Sequence, residues 1–141
     1  MKIAFGADDR SGVTDLLRAE LERRGHEIVR AVGPAAGSDE QWAAVGREVA
    51  EAVARGDADQ GVVCCWTGTG VTIAANKVPG VRAALCTDAE QARGARRWND
   101  ANVLALSLRL TTEALAVEIL DAWFSADVDP SEADNIRAVS G

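Results

Sequence analysis

The stretch QGVVCCWTGTGVTIAANK, Gln60–Lys77, decides the fold. Gln60 to Cys65 is an apolar run of strand length, bounded by turn residues, and reads as a fully buried strand. Trp66 to Gly70 is a turn carrying two glycines, and Val71 to Asn76 reads as a short helix. A strand that passes through such a turn into a helix is the unit of a parallel α/β sheet.

The rest of the chain repeats that alternation. Strands are expected at Lys2–Ala7, Glu27–Val32, Arg82–Cys86 and from Asn102 to Ala105. Helices are expected at 13–24, 39–55 (capped by Asp39), 88–97 and 111–124. The tail from Asp127 reads as loosely ordered, with a last turn near Glu132 to Ala138. This predicts one domain over 1–141 with a doubly wound, five-stranded parallel sheet of order 2-1-3-4-5 and helices on both faces. Ligands of such sheets bind at the strands' carboxyl ends, where the strand order reverses, here between strands one and three. Asp8 and Asp9, after strand one, and Cys65 to Gly70, after strand three, should therefore share one cleft.

Composition narrows the function classes. The net charge of -7 argues against a nucleic-acid or anionic-membrane partner. No apolar stretch reaches membrane-span length, and MKIAFGADD meets a polar turn too soon for a signal peptide. Cys64, Cys65 and Cys86 are odd in number and lack framework spacing, which predicts free thiols and a cytoplasmic location. Cys64 and Cys65 are adjacent on a strand and point to opposite faces, so a redox pair is not expected. No zinc-ligand spacing occurs, and His26 is the sole histidine.

The turn itself suggests chemistry. Trp66-Thr67-Gly68-Thr69-Gly70 leads into a helix N-terminus, where unpaired N–H groups and the helix dipole favour an anion. That anion is either a phosphate or an oxyanion formed during a reaction. Cys65 stands just before those donors, a position that favours the thiolate and suits a nucleophile or a base for a carbon-bound proton. Thiol acyl transfer wants a histidine partner, and His26 precedes strand two at its amino end, so proton abstraction is the better reading. Each residue also has a plainer role. Cysteines in buried strands are commonly core, as expected for Cys64 and Cys86. Asp8 and Asp9 are suited to capping the first helix, Trp98 to packing, and Arg109 and Arg137 to a solvated surface.

KIAFGADD, the block ADQGVVCCWTGTGVTIAANKVPGVRAAL and NDANVLAL at Asn99–Leu106 resemble the family of ribose-5-phosphate isomerase B and the galactose-6-phosphate isomerase subunits. The resemblance spans nearly the whole chain. It implies a flavodoxin-like Rossmann fold, a homodimeric core, no metal or organic cofactor, and aldose–ketose isomerisation through a cis-enediolate. By position it implies that Cys65 is the base, that Thr67 contacts the sugar, and that Gly68, Thr69 and Gly70 form the anion hole. Asp8 matches an aspartate that binds sugar hydroxyls, Asn99 an asparagine near the reacting carbons, and Arg109 a phosphate-side arginine. The C-terminal segment, about 127–141, is expected to reach a partner chain and bring Arg137 to its cleft.

The departures are specific. The family's histidine after the first aspartate is Asp9 here, carried as a catalytic candidate that could substitute for the missing acid–base group. Its ring-opening histidine is Trp98, its glycine after the catalytic cysteine is Trp66, and its Asp-Tyr-Pro segment is Gln41-Trp42-Ala43. Of its C-terminal basic cluster only Arg137 keeps the charge. The added indoles Trp66 and Trp98 are expected to narrow the pocket or stack on a sugar. The base and anion hole are kept, whereas ring-opening and much of the phosphate clamp are not, so ordinary ribose 5-phosphate is not the expected substrate. A non-catalytic partner subunit of a hetero-oligomer is the alternative. A flavodoxin-type nucleotide module is a weaker one, because the turn after strand one is acidic.

Overall fold

The computed structural model describes residues 1–140. Five parallel strands form one sheet: β1 Lys2–Ala7, β2 Glu27–Val32, β3 Gln60–Cys65, β4 Ala83–Leu85 and β5 Val103–Ser107. The helices are α1 Gly12–Arg23, α2 Trp42–Ala54, α3 Thr69–Asn76, α4 Ala89–Asn99, α5 Glu113–Ser125 and α6 Ala133–Val139.

Strand alternation sorts the core into two layers. Ile3, Phe5, Val62, Cys64, Leu104 and Leu106 face α1, α4 and α5, where Trp123 is buried and its indole N–H donates to Gln60 Oε1 at 2.8 Å. Ala4, Val63, Cys65, Val103 and Ala105 face α2 and α3. The two adjacent cysteines thus belong to opposite cores, as the strand period requires.

The strand order is β2-β1-β3-β5-β4, which corrects the expected 2-1-3-4-5 at its far edge. Every residue of β5 is buried, whereas the three residues of β4 are only half-buried. The more apolar strand takes the inner slot and the shorter one the edge. The outer side of β4 is closed by Asn76, whose side-chain amide donates to the Ala83 carbonyl at 3.0 Å and accepts from the Ala83 N–H at 2.8 Å. The reversal between β1 and β3 is unaffected.

Three further expectations change. Ser11 caps α1 in a reciprocal box with Thr14, so Asp8 and Asp9 are not its caps. Asp39 does not cap α2, which starts at Trp42 behind Gln41 without a side-chain cap. The tail is folded: the Asp129 N–H donates to the Arg97 carbonyl at 2.7 Å, and the Gly80 N–H to the Ser140 carbonyl at 3.1 Å. These anchors lie far away in sequence, and no local pattern announces them.

Candidate active site

The carboxyl ends of β1 and β3 are tied together, the Asp8 N–H donating to the Cys64 carbonyl at 3.2 Å. The β3–β5 ladder continues past the sheet. Leu108 N–H donates to the Cys65 carbonyl, and Arg109 N–H to the Trp66 carbonyl, both at 2.9 Å. Ser107 Oγ donates to the same Trp66 carbonyl at 3.0 Å. The turn after Cys65 is therefore held from both sides by neighbouring strands.

Gly68 begins α3 from the left-handed region, with φ 78°. A Cβ there would stand 2.5 Å from Leu85 Cδ1 and 3.0 Å from the Ser107 nitrogen, so both conformation and space demand glycine. Its carbonyl takes the first bond of the helix, from Thr72 N–H, and a second from Thr72 Oγ1 at 2.6 Å. The N–H groups of Thr69, Gly70 and Val71 open the helix and have no acceptor within it. Thr67 and Thr69 are joined through their hydroxyls at 2.9 Å.

A cleft of about 410 Å³ lies over this turn. Asp8, Cys65, Thr67, Thr69 and Gly70 line it, with Trp66, Trp42 and Ile73 as apolar walls. Trp66 is 63% exposed, and its indole stands at the cleft's edge. Burial, and then repulsion by Asp9, raise the Asp8 carboxyl above its usual range. Asp9 lies in an adjoining hollow bounded by Asp8, Trp66 and Leu108. Its carboxylate accepts from the Arg10 N–H at 2.8 Å.

The three thiols are distinct. Cys64 and Cys86 are fully buried. Desolvation pushes the Cys64 thiol far up and that of Cys86 up to about 12. Cys65, by contrast, lines the cleft. His26 is at the other end of the sheet, with Nδ1 3.0 Å from the terminal amine of Met1 and its ring 4.4 Å from that of Phe124, tilted by 31°.

The candidate residues thus divide into two groups. Asp8, Cys65, Trp66, Thr67, Gly68, Thr69 and Gly70 come together, with Arg109 held beside them through its backbone and its side chain exposed. Trp98 and Asn99 end α4, ahead of β5, and so sit at the amino end of the sheet. Trp98 folds over Gly94 on the outer face of α4. Arg137 is on exposed α6, paired with Asp134. A strand length, on the order of 15 Å, separates this group from the cleft of the same chain. Trp42 and Ile73 are site residues that sequence reasoning did not assign. The first turn of α2 reaches the cleft only through tertiary packing, which leaves no spacing signal.

The pattern of the Ribose/Galactose Isomerase family matches residues 3–139. Ribose-5-phosphate isomerase B of Escherichia coli is 38% identical over 129 residues, covering 91% of this chain and 86% of that protein. A D-erythrulose-4-phosphate isomerase of Pectobacterium atrosepticum is 34% identical over 130 residues, covering 92% and 86%. Among solved structures, ribose-5-phosphate isomerase B of Clostridium thermocellum superposes with a TM-score of 0.91 at 39% identity, covering 99% of this chain and 95% of that one. The strand–turn–helix at Cys65, the reversal of strand order beside it and these likenesses have one conclusion: the chain belongs to the Ribose/Galactose Isomerase family of sugar-phosphate isomerases.

Proposed function

We propose that this chain interconverts the aldose and ketose forms of a short, open-chain sugar phosphate, with Cys65 as the proton carrier. The observation that carries the reading is the placement of Cys65 in one cleft with the first turn of α3 and Asp8. The Cys65 thiolate removes the C2 proton of the aldose. The electron pair moves through C1 to its oxygen, giving a cis-enediolate. The free N–H groups at Thr69 and Gly70 face that oxyanion. Cys65 then returns the proton to C1, while the hydroxyl proton passes from O2 to O1. Asp8 and Thr67 hold sugar hydroxyls, and the Asp8 carboxyl, already held above its usual range, suits that hydroxyl transfer.

Ring-opening is the step for which the cleft has no group. Trp98 replaces the family's histidine, and an indole N–H donates a hydrogen bond without titrating. Asp9 lines the adjoining hollow, which shares Asp8 and Trp66 with the Cys65 cleft, and this scheme assigns it no step. A tetrose 4-phosphate needs no such group, because its O4 is esterified and no furanose can close. The relative named D-erythrulose-4-phosphate isomerase supports this substrate class. Among the described residues no Lys or Arg lines the cleft, so the phosphate falls to Arg109 at its edge and to a second copy of the chain. In that homodimer Trp98, Asn99 and Arg137 of one protomer complete the cleft of the other.

The test compares turnover of erythrose 4-phosphate and ribose 5-phosphate, then repeats it in Trp98→His. The proposal expects the tetrose phosphate to be preferred by at least about 10²-fold, the usual scale of one acid–base group, and pentose activity to rise in the variant. Equal or better turnover of the pentose by the natural chain contradicts it. Light scattering is expected to give a dimer or a dimer of dimers; a stable monomer contradicts the shared cleft.

A further inference from the structure

We propose that Trp42 sets the length of the sugar chain that the Cys65 cleft accepts, an inference that rests on the isomerase reading. Helices α2 and α3 meet closely. A Cβ on Gly46 would stand 2.7 Å from the Val71 carbonyl oxygen and 2.8 Å from Ala74 Cβ. That approach brings the first turn of α2 onto the first turn of α3. There a Cβ on Gly70 would stand 2.7 Å from Trp42 Cε3 and 2.9 Å from Cδ2, so the indole lies directly against the backbone of Gly70. A sugar whose reacting carbons face the Gly70 N–H therefore has this indole beside it.

Trp42 and Ile73 also have a second side. They line an adjoining groove of about 440 Å³ between α2 and α3, which also holds Arg47, Glu51 and Lys77, with Arg47 paired to Glu51 at 4.0 Å. The two residues are thus the partition between the cleft and that groove. While the indole stands, the cleft ends at a wall of Trp42 and Ile73 that blocks a longer chain. Without it, the cleft runs on into that groove, which leaves room for a longer chain whose phosphate stays at Arg109. The wall is specific to length because it blocks only what extends beyond it.

The experiment measures binding, so that it does not depend on turnover. Kd is determined by calorimetry for two open-chain acids, 4-phosphoerythronate and 5-phosphoribonate, with the natural chain, Trp42→Ala and Trp42→Phe. One carbon against an apolar wall is worth roughly 10- to 200-fold. The natural chain is expected to prefer the four-carbon acid by at least about tenfold. Trp42→Ala is expected to erase or reverse that ratio, and Trp42→Phe, which keeps a wall and guards against a folding defect, to lie between. An unchanged ratio in folded Trp42→Ala, or no preference in the natural chain, overturns the proposal. A shifted ratio in a chain that isomerises no sugar sustains the length partition and sinks the isomerase reading instead.

Discussion

At the scale of single residues, the site depends on a backbone that only one amino acid permits. Gly68 holds a φ of 78° with no room for a side chain. Gly68→Ala combines a left-handed strain with a clash against Leu85 and the β5 backbone, and is expected to cost about 2–4 kcal/mol. Urea denaturation checks this; a loss below about 0.5 kcal/mol, the scale of a neutral surface change, would mean that the turn relaxes freely. Asp8 carries a different burden. Its folded-state carboxyl is raised by burial and by Asp9, so the folded chain keeps a proton in a window just above the ordinary aspartate range where the unfolded chain has lost it. Stability from this group falls as pH rises through that window, and at neutral pH the ionised Asp8 is a net cost. Asp8→Asn is therefore expected to raise Tm at neutral pH by roughly 1–3 °C while turnover drops. A lowered Tm at neutral pH would contradict the assignment.

At the scale of elements, β1, β2 and β3 were legible because each is a short apolar or β-branched run bounded by turn residues, and all three fall at their expected bounds. Helix starts were less so. The acidic pair after β1 resembles a cap, yet Ser11 and Thr14 satisfy the first donors of α1. Ser11→Ala is accordingly expected to cost about 1 kcal/mol, and Asp9→Ala almost nothing, by thermal denaturation. The reverse ranking would restore the acidic pair as the cap. The order of β4 and β5 was not legible, since both follow a helix and both are apolar. What decides it is burial on both faces, together with the Asn76 amide that closes the β4 edge. The start of α2 shows the same limit. No local pattern tells that Trp42 lies on Gly70, because the contact exists only after α2 and α3 have packed.

At the scale of the whole molecule, the chain has a cleft at one end of its sheet and a second group of candidate residues at the other. The Cys65 turn was readable because thiol, glycine turn and helix start lie within a few residues and the topological reversal follows from strand order. The grouping of Trp98, Asn99 and Arg137 away from it is a property of the folded chain that no spacing encodes. Trp42, Trp66 and Ile73 leave exposed apolar surface around the cleft. The proposed proton transfer rests on one thiol. Cys64 and Cys86 are buried with raised pKa values, and only Cys65 lines the cleft. The direct measurement is the rate of ketose formation from erythrose 4-phosphate, followed by proton NMR, for the natural chain and for folded Cys65→Ala. Removing the proton carrier is expected to lower the rate by at least about 10³-fold, within the range of a lost acid–base group. Retention of the natural rate in Cys65→Ala would contradict the account at its centre.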